Sequence, residues 1–117
     1  MLFLCYPRCS TCKKAQNYLD TKNAAYDLRD IKTDHPSADE LKSWQEMSGL
    51  PLMKFFNTSG IQYRALDLKN KLPQMSEAEQ LSLLASDGML VKRPILIGDD
   101  FVLVGFREAQ WSAALDR

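Results

Sequence analysis

The sequence predicts an α/β domain: a four-stranded mixed sheet flanked by helices, with a helical lobe inserted at about residues 34–90. Three observations carry this expectation. A strand–helix–strand pattern opens the chain at residue 2. Two helices with the same Ser–Glu start signal fill the middle. Two short strands around "GDD", followed by a helix, close it.

Each element has a local cause. "LFLCY" at 2–6 is short and wholly apolar, as suits a strand covered on both faces. Cys5 within it reads as a small buried hydrophobe. Pro7 and Arg8 end the strand. From Ser10, "STCKKAQNYLDTKN" reads as a helix with Ala15, Tyr18 and Leu19 inward and Asn23 near its end. "AYDLRDI" at 25–31 alternates as a second strand, with Tyr26 and Leu28, and Asp30 if the alternation continues, pointing one way. A strand–helix–strand unit makes the two strands parallel.

In the middle, Ser37 and Glu40 stand at capping-box spacing ahead of Leu41, Trp44 and either Met47 or Ser48, with Gly49 as the stop. Pro51 opens a helical turn, Phe55 and Phe56 are core, and "NTSG" at 57–60 is a turn. Ser76 and Glu79 repeat the box before Leu81, Leu84 and Ala85, and Gly88 closes that helix. At the end, Ile95–Ile97 and Phe101–Val104 flank a hairpin turn. "REAQWSAALDR" then forms a helix with Ala109, Trp111 or Ser112, and Leu115 facing in. This element order is that of a thioredoxin-like plan with an inserted helical lobe, in one domain over residues 1–117.

Composition narrows the function classes. Apolar residues are 45% and charged residues 26%, with 15 basic and 15 acidic side chains. Zero formal charge argues against binding nucleic acid directly or an anionic membrane by charge alone. Charge is unevenly placed: residues 1–33 hold Arg8, Lys13, Lys14, Lys22, Arg29 and Lys32 against Asp20, Asp27 and Asp30. No apolar stretch has the length of a membrane span, and "MLFLCYPRC" lacks the order of a secretory leader. Three cysteines do not make a secreted disulfide scaffold, so the cytoplasm is the expected compartment.

"YPRCSTCKKA" at 6–15 carries the chemistry. A closed zinc site needs four ligands, and Cys9 and Cys12 supply two; the one histidine, His35, lies far along the chain. No metal is therefore expected. A thiol centre fits the local structure better. Cys9 falls at the strand-to-helix turn, where unpaired N–H groups and the helix dipole favour a thiolate. Cys12, one turn deeper, is placed to resolve a disulfide or adduct formed on Cys9. The N–H groups of "CSTC", with the Ser10 and Thr11 hydroxyls, form a cradle for a small oxyanion. Arg93 and Arg107 stand at chain corners that a folded sheet can bring to the same loop. Each also reads as a solvated surface charge, and Arg8 as an exposed residue near enough to tune Cys9. Pro94 occupies the place where thioredoxin-like domains put a cis proline, and sequence alone leaves its isomer open.

The combination of "YPRCSTCKKA" with "LKSWQEMSGLPLMKFFNTSG" (41–60), "MSEAEQLSLLASDGMLVKRPILI" (75–97) and "VGF" (104–106) resembles the arsenate reductase and Spx family over essentially the whole chain. It is most similar to the small bacterial arsenate-reductase-like branch. The resemblance implies a thioredoxin-like fold with a helical insertion and one attacking cysteine in the first loop, here Cys9. In glutaredoxin-coupled arsenate reductases three arginines hold the oxyanion. One of those positions falls on Arg93. Another reads Asn57, and the last falls at or beside Phe106, one residue from Arg107. The CxxC itself resembles the redox switch of Spx-type regulators, which bind the C-terminal domain of the RNA polymerase α subunit. Two functions are therefore expected in competition. One is a thiol–disulfide oxidoreductase or arsenate-reductase-like enzyme with no bound cofactor, reduced by glutathione, glutaredoxin or thioredoxin. The other is a redox-sensing regulator.

Overall fold

A computed structural model describes residues 1–116. The chain opens with β1 (Leu2–Cys5), α1 (Ser10–Thr21) and β2 (Asp27–Asp30), and β2 lies parallel to β1 with Leu2 opposite Asp27 and Cys5 opposite Asp30. After a long helical excursion it returns as β3 (Ile95–Ile97), antiparallel to β1, and β4 (Val102–Val104), antiparallel to β3. The sheet order is β2-β1-β3-β4, the mixed four-stranded sheet expected. The chain then closes with a helix at Glu108–Leu115.

β1 is apolar throughout because it is central and covered on both sides. Alternate strand residues face opposite layers. Phe3, Cys5, Leu96 and Leu103 pack with Cys12, Ala15 and Leu19 of α1 and with Trp111. Leu4, Ile95 and Val102 face the other way, into Leu41, Trp44, Phe55 and Leu84 of the helical lobe. The sheet thus separates the two terminal-segment helices from the inserted lobe.

The lobe contains α2 (Ala38–Ser48), α3 (Ile61–Ala65), α4 (Leu68–Lys71) and α5 (Glu77–Ser86), with single 3₁₀ turns at Leu52–Phe55, Leu72–Gln74 and Gly88–Leu90; the closing helix is α6. Both predicted capping boxes form: Glu40 N–H donates to Ser37 Oγ at 3.1 Å, and Glu79 N–H to Ser76 Oγ at 3.1 Å. Each also has the reciprocal bond to the glutamate carboxylate. Gly49 ends α2 at φ 70°, where a side chain is disfavoured. Pro51 precedes a 3₁₀ turn.

Several details differ from expectation. Leu28 is 56% exposed, because β2 is the outer strand and the layer above covers Tyr26, which packs edge-on to Phe3, and leaves Leu28 outside. Met47 is exposed, so Ser48 is the half-buried alternative on α2. Ala109 is exposed; on α6 the buried line runs through Trp111 and half-buried Leu115. Gly88 does not cap α5, which ends at Asp87 in an extended conformation. Gly88 is instead a close approach: a Cβ there would lie 1.7 Å from the Ile31 carbonyl oxygen. α3 and α4 are helices too short to show periodicity in the sequence; α4 buries Leu68 and α3 buries none of its residues.

The lobe is tied to the edge strand by Arg29 of β2. Its guanidinium donates to both carboxylate oxygens of Glu40, at 2.7 and 2.9 Å, and to the carbonyls of Asp34 and His35. Hydrogen bonding from Arg29 outweighs burial and holds the Glu40 carboxyl down to about 2. A carboxyl lowered on folding stabilises the folded state above its unfolded value, and that contribution is lost as pH falls toward the folded one. Glu40→Gln should therefore cost about 1 kcal/mol at pH 7, discounted for partial exposure. Urea titrations should show the gap between the two proteins closing between about pH 5 and pH 2.

Candidate active site

The residue preceding α1 is Cys9, with an extended backbone (φ −86°, ψ 123°), and its own N–H donates to the Tyr6 carbonyl at 2.9 Å. That tight turn after β1 directs the Cys9 sulfur at the first turn of a twelve-residue helix. No cap hydrogen bond closes onto the Cys9 side chain. Its sulfur lies instead in the field of the unpaired first-turn N–H groups.

The two thiols of the CxxC are unequal. Cys9 is half-buried, while Cys12 is 1% exposed in the layer beneath α1. Cys12 Sγ accepts from the Tyr6 N–H at 3.3 Å, which pins it against the end of β1. Burial disfavours ionisation of Cys9, but the N–H groups of Cys12 and Thr11, the Cys12 thiol and the Arg93 guanidinium outweigh it, and the Cys9 pKa is lowered. Burial, reinforced by repulsion from Cys9, pushes the Cys12 thiol up to about 12. Cys5 is raised as well, chiefly by burial. One sulfur is thus prepared to be a thiolate and its neighbours to stay protonated.

Arg93 reaches this centre from the other end of the fold. The Arg93–Pro94 peptide bond is cis, and Pro94 is buried directly before β3. The guanidinium lies over the Tyr6 ring at 5.3 Å, and one terminal nitrogen donates to the Met89 carbonyl at 3.5 Å. Its Nε is buried without a hydrogen-bond partner among the described residues. A buried N–H left unpaired in a guanidinium that acts on Cys9 is a donor available to a thiolate or to a bound anion.

Cys9, Thr11 and Arg93 line an open cleft of about 1190 Å³. The opposite wall comes from the lobe, held there by three backbone ties. Phe56 bridges Val91, Asn57 N–H donates to the Leu90 carbonyl at 2.8 Å, and Lys92 N–H donates to the Phe55 carbonyl at 2.7 Å. Arg107, exposed at the start of α6, lines the same cleft, as do Asn57 and Phe106. The structure therefore brings Cys9, Cys12, Thr11, Arg93, Pro94 and Arg107 into one region. Ser10 and Arg8 are exposed and line no part of the cleft, and Arg8 is not among the groups that shift Cys9.

Sequence reading missed two cations of the cleft, Lys54 and Lys92, and the apolar Met53 and Ile61 beside them. Lys92 stood beside Arg93 in "VKRP" as a visible signal. Lys54 carries none, because its position depends on the long-range Phe56–Val91 bridge. Among the described residues no group of three or more His, Cys, Asp or Glu side chains is placed to hold a metal ion, and no helix is long and apolar enough to cross a membrane.

Comparison with known proteins agrees with this geometry. The uncharacterised protein YusI of Bacillus subtilis is 51% identical over 95% of this chain and 94% of its own. The global transcriptional regulator Spx of Staphylococcus epidermidis is 25% identical over 95% of this chain and 83% of its own. Among solved structures, a protein from Bacteroides fragilis described as ArsC-family related superposes with a TM-score of 0.93 at 53% identity, covering 96% of this chain and 94% of that one. A protein of Streptococcus mutans described as a possible arsenate reductase gives 0.89 at 49% identity, covering 97% of each chain. The family model for ArsC matches residues 4–114. With its thioredoxin-like fold and its CxxC at the start of α1, the chain belongs to the ArsC family.

Proposed function

We propose that the chain is a thiol–disulfide reductase in which Cys9 attacks and Cys12 resolves. The asymmetry of the two sulfurs carries this reading: an accessible thiol lowered at a helix start, and a buried thiol one turn below it raised to about 12. Cys9 thiolate attacks one sulfur of a substrate disulfide, and the other sulfur leaves as a thiolate and takes a proton. Burial is the larger cause of the raised Cys12 thiol, and the mixed disulfide removes the second one, the negative charge on Cys9. Cys12 then loses its proton, attacks Cys9 Sγ and releases the second substrate thiol. The substrate gains two electrons and the chain is left with a Cys9–Cys12 disulfide. Glutathione, or a glutaredoxin or thioredoxin, returns it to the dithiol.

Alkylation tests the assignment. Iodoacetamide should label Cys9 with a pH midpoint below the ordinary thiol value of about 8.5, while Cys12 reacts only under strongly alkaline conditions or on unfolding. Preferential labelling of Cys12 in the native protein would overturn it.

Arsenate is a weaker substrate on this reading, because Asn57 stands where the family resemblance expects an arginine. Arsenate-dependent NADPH oxidation with glutathione and glutaredoxin at ordinary enzyme rates would reverse that order. The relative named a global transcriptional regulator, Spx, supports a second reading, a redox-sensing regulator. Its mark would be redox-dependent capture of the RNA polymerase α C-terminal domain in a pull-down.

A further inference from the structure

The cleft beside Cys9 is one-signed. Among the described residues four cations, Lys54, Lys92, Arg93 and Arg107, line it, and no aspartate or glutamate does. The protein as a whole has zero formal charge, so the excess is concentrated here. The ion pairs among the described residues, Lys22–Asp116 and Arg29 with Asp34 and Glu40, involve none of the four. A cleft lined by one sign of charge concentrates ligands of the other sign.

The same cleft carries exposed apolar surface on its lobe wall. Ile61 is 83% exposed, more than any other large hydrophobic residue described, and Met53 is 47% exposed. Neither packs in a core cluster. At about 1190 Å³ the space is above the usual 300–1,000 Å³ range of small-molecule pockets. A simple oxyanion would use the arginines and leave Lys54, Met53 and Ile61 without a partner.

We propose that this cleft takes an extended acidic segment of a protein disulfide, with the four cations matching its carboxylates and Met53 and Ile61 receiving an apolar side chain. The inference rests on the thiol-reductase reading and names its substrate class. Carboxylates flanking the reacting cysteine meet Lys54 on the lobe wall and, on the other, Arg107 and Lys92, whose side chain reaches Gly105, which brings one disulfide sulfur to Cys9. The redox step is unchanged: the S–S bond of the acidic protein breaks, its sulfurs leave as thiols, and Cys9 and Cys12 are oxidised to their disulfide. A low-molecular-weight thiol or a dithiol protein supplies the two electrons that reset them.

The test uses the reduced full chain and peptides of equal length, each with one cysteine as its 2-pyridyl mixed disulfide. One peptide has acidic and apolar flanks, one neutral flanks and one basic flanks; the 2-pyridyl disulfide of glutathione is the small-thiol arm. Release of pyridine-2-thione reads the attack by Cys9. At low salt the acidic peptide should react about tenfold faster than the neutral one and faster still than the basic one, and added salt should compress the series. Lys54→Glu lowers the lining from four positive charges to a net two, with Lys92, Arg93 and Arg107 still in place, so it should slow the acidic peptide and speed the basic one. The faster reaction of the basic peptide is a gain that misfolding cannot produce. Equal rates for the three peptides, or fastest reaction with the glutathione adduct, would overturn the substrate class and leave the thiol chemistry standing. Absence of Cys9-dependent release in every arm would remove the thiol chemistry and the proposal with it.

Discussion

Replacing Cys9 by serine is expected to abolish disulfide reduction, by on the order of 10³-fold or more, the scale seen when a covalent nucleophile is removed. A serine hydroxyl does not ionise near neutral pH, so the N–H groups of Cys12 and Thr11 and the Arg93 guanidinium would have no anion to stabilise. Cys12 cannot take over, because it is 1% exposed and its thiol is raised to about 12. Cys12→Ser should behave differently: attack by Cys9 continues, but the mixed disulfide has no internal thiol to resolve it and accumulates. Mass spectrometry of the two variants after exposure to a disulfide substrate separates the roles. Adduct on Cys9 in Cys12→Ser and none in Cys9→Ser is the expected pattern. A stable adduct on Cys12 in Cys9→Ser would reverse the assignment.

The parts of this molecule that were legible in its sequence are those with local causes. Ser37 with Glu40 and Ser76 with Glu79 name two helix starts because a capping box closes within four residues. The inequality of Cys9 and Cys12 is legible for the same reason, since it follows from where each sits on one helix turn. Leu28 misled because alternation names a face without saying whether anything covers it at a sheet edge. Gly88 misled because a glycine after an apolar run reads as a cap, whereas its cause is the Ile31 carbonyl from a distant segment. Of the four cations of the cleft, Lys54 has no sequence signature, because it joins Arg93 only when the Phe56–Val91 bridge brings the two segments together. Chemistry was therefore readable before specificity.

Stability and the shape of the cleft meet at Trp111. It is fully buried, lies edge-on to Phe3 at 6.2 Å and to Phe106 at 5.0 Å, and its indole N–H donates to the Gly105 carbonyl at 3.1 Å. Gly105, at φ 76°, turns the chain from β4 into the Phe106–Arg107 segment that lines the cleft. Trp111→Ala removes the largest buried side chain of the α1–α6 layer and leaves that buried carbonyl unpaired. The cost should be about 3–5 kcal/mol, a large part of the 5–15 kcal/mol that holds such a domain folded. At roughly 4 °C per kcal/mol for a chain of this size, the melting temperature should fall by about 12–20 °C. Trp111→Phe keeps much of the ring packing and loses the N–H, so it should cost about 1–3 kcal/mol. Cys9 lies at the start of α1 and none of the groups that shift it comes from α6, so its alkylation profile in the Phe variant should match the parent. A fall of less than about 5 °C for the Ala variant would mean that α6 contributes little to the fold. The Phe106–Arg107 wall would then have to be held by the β3–β4 hairpin alone.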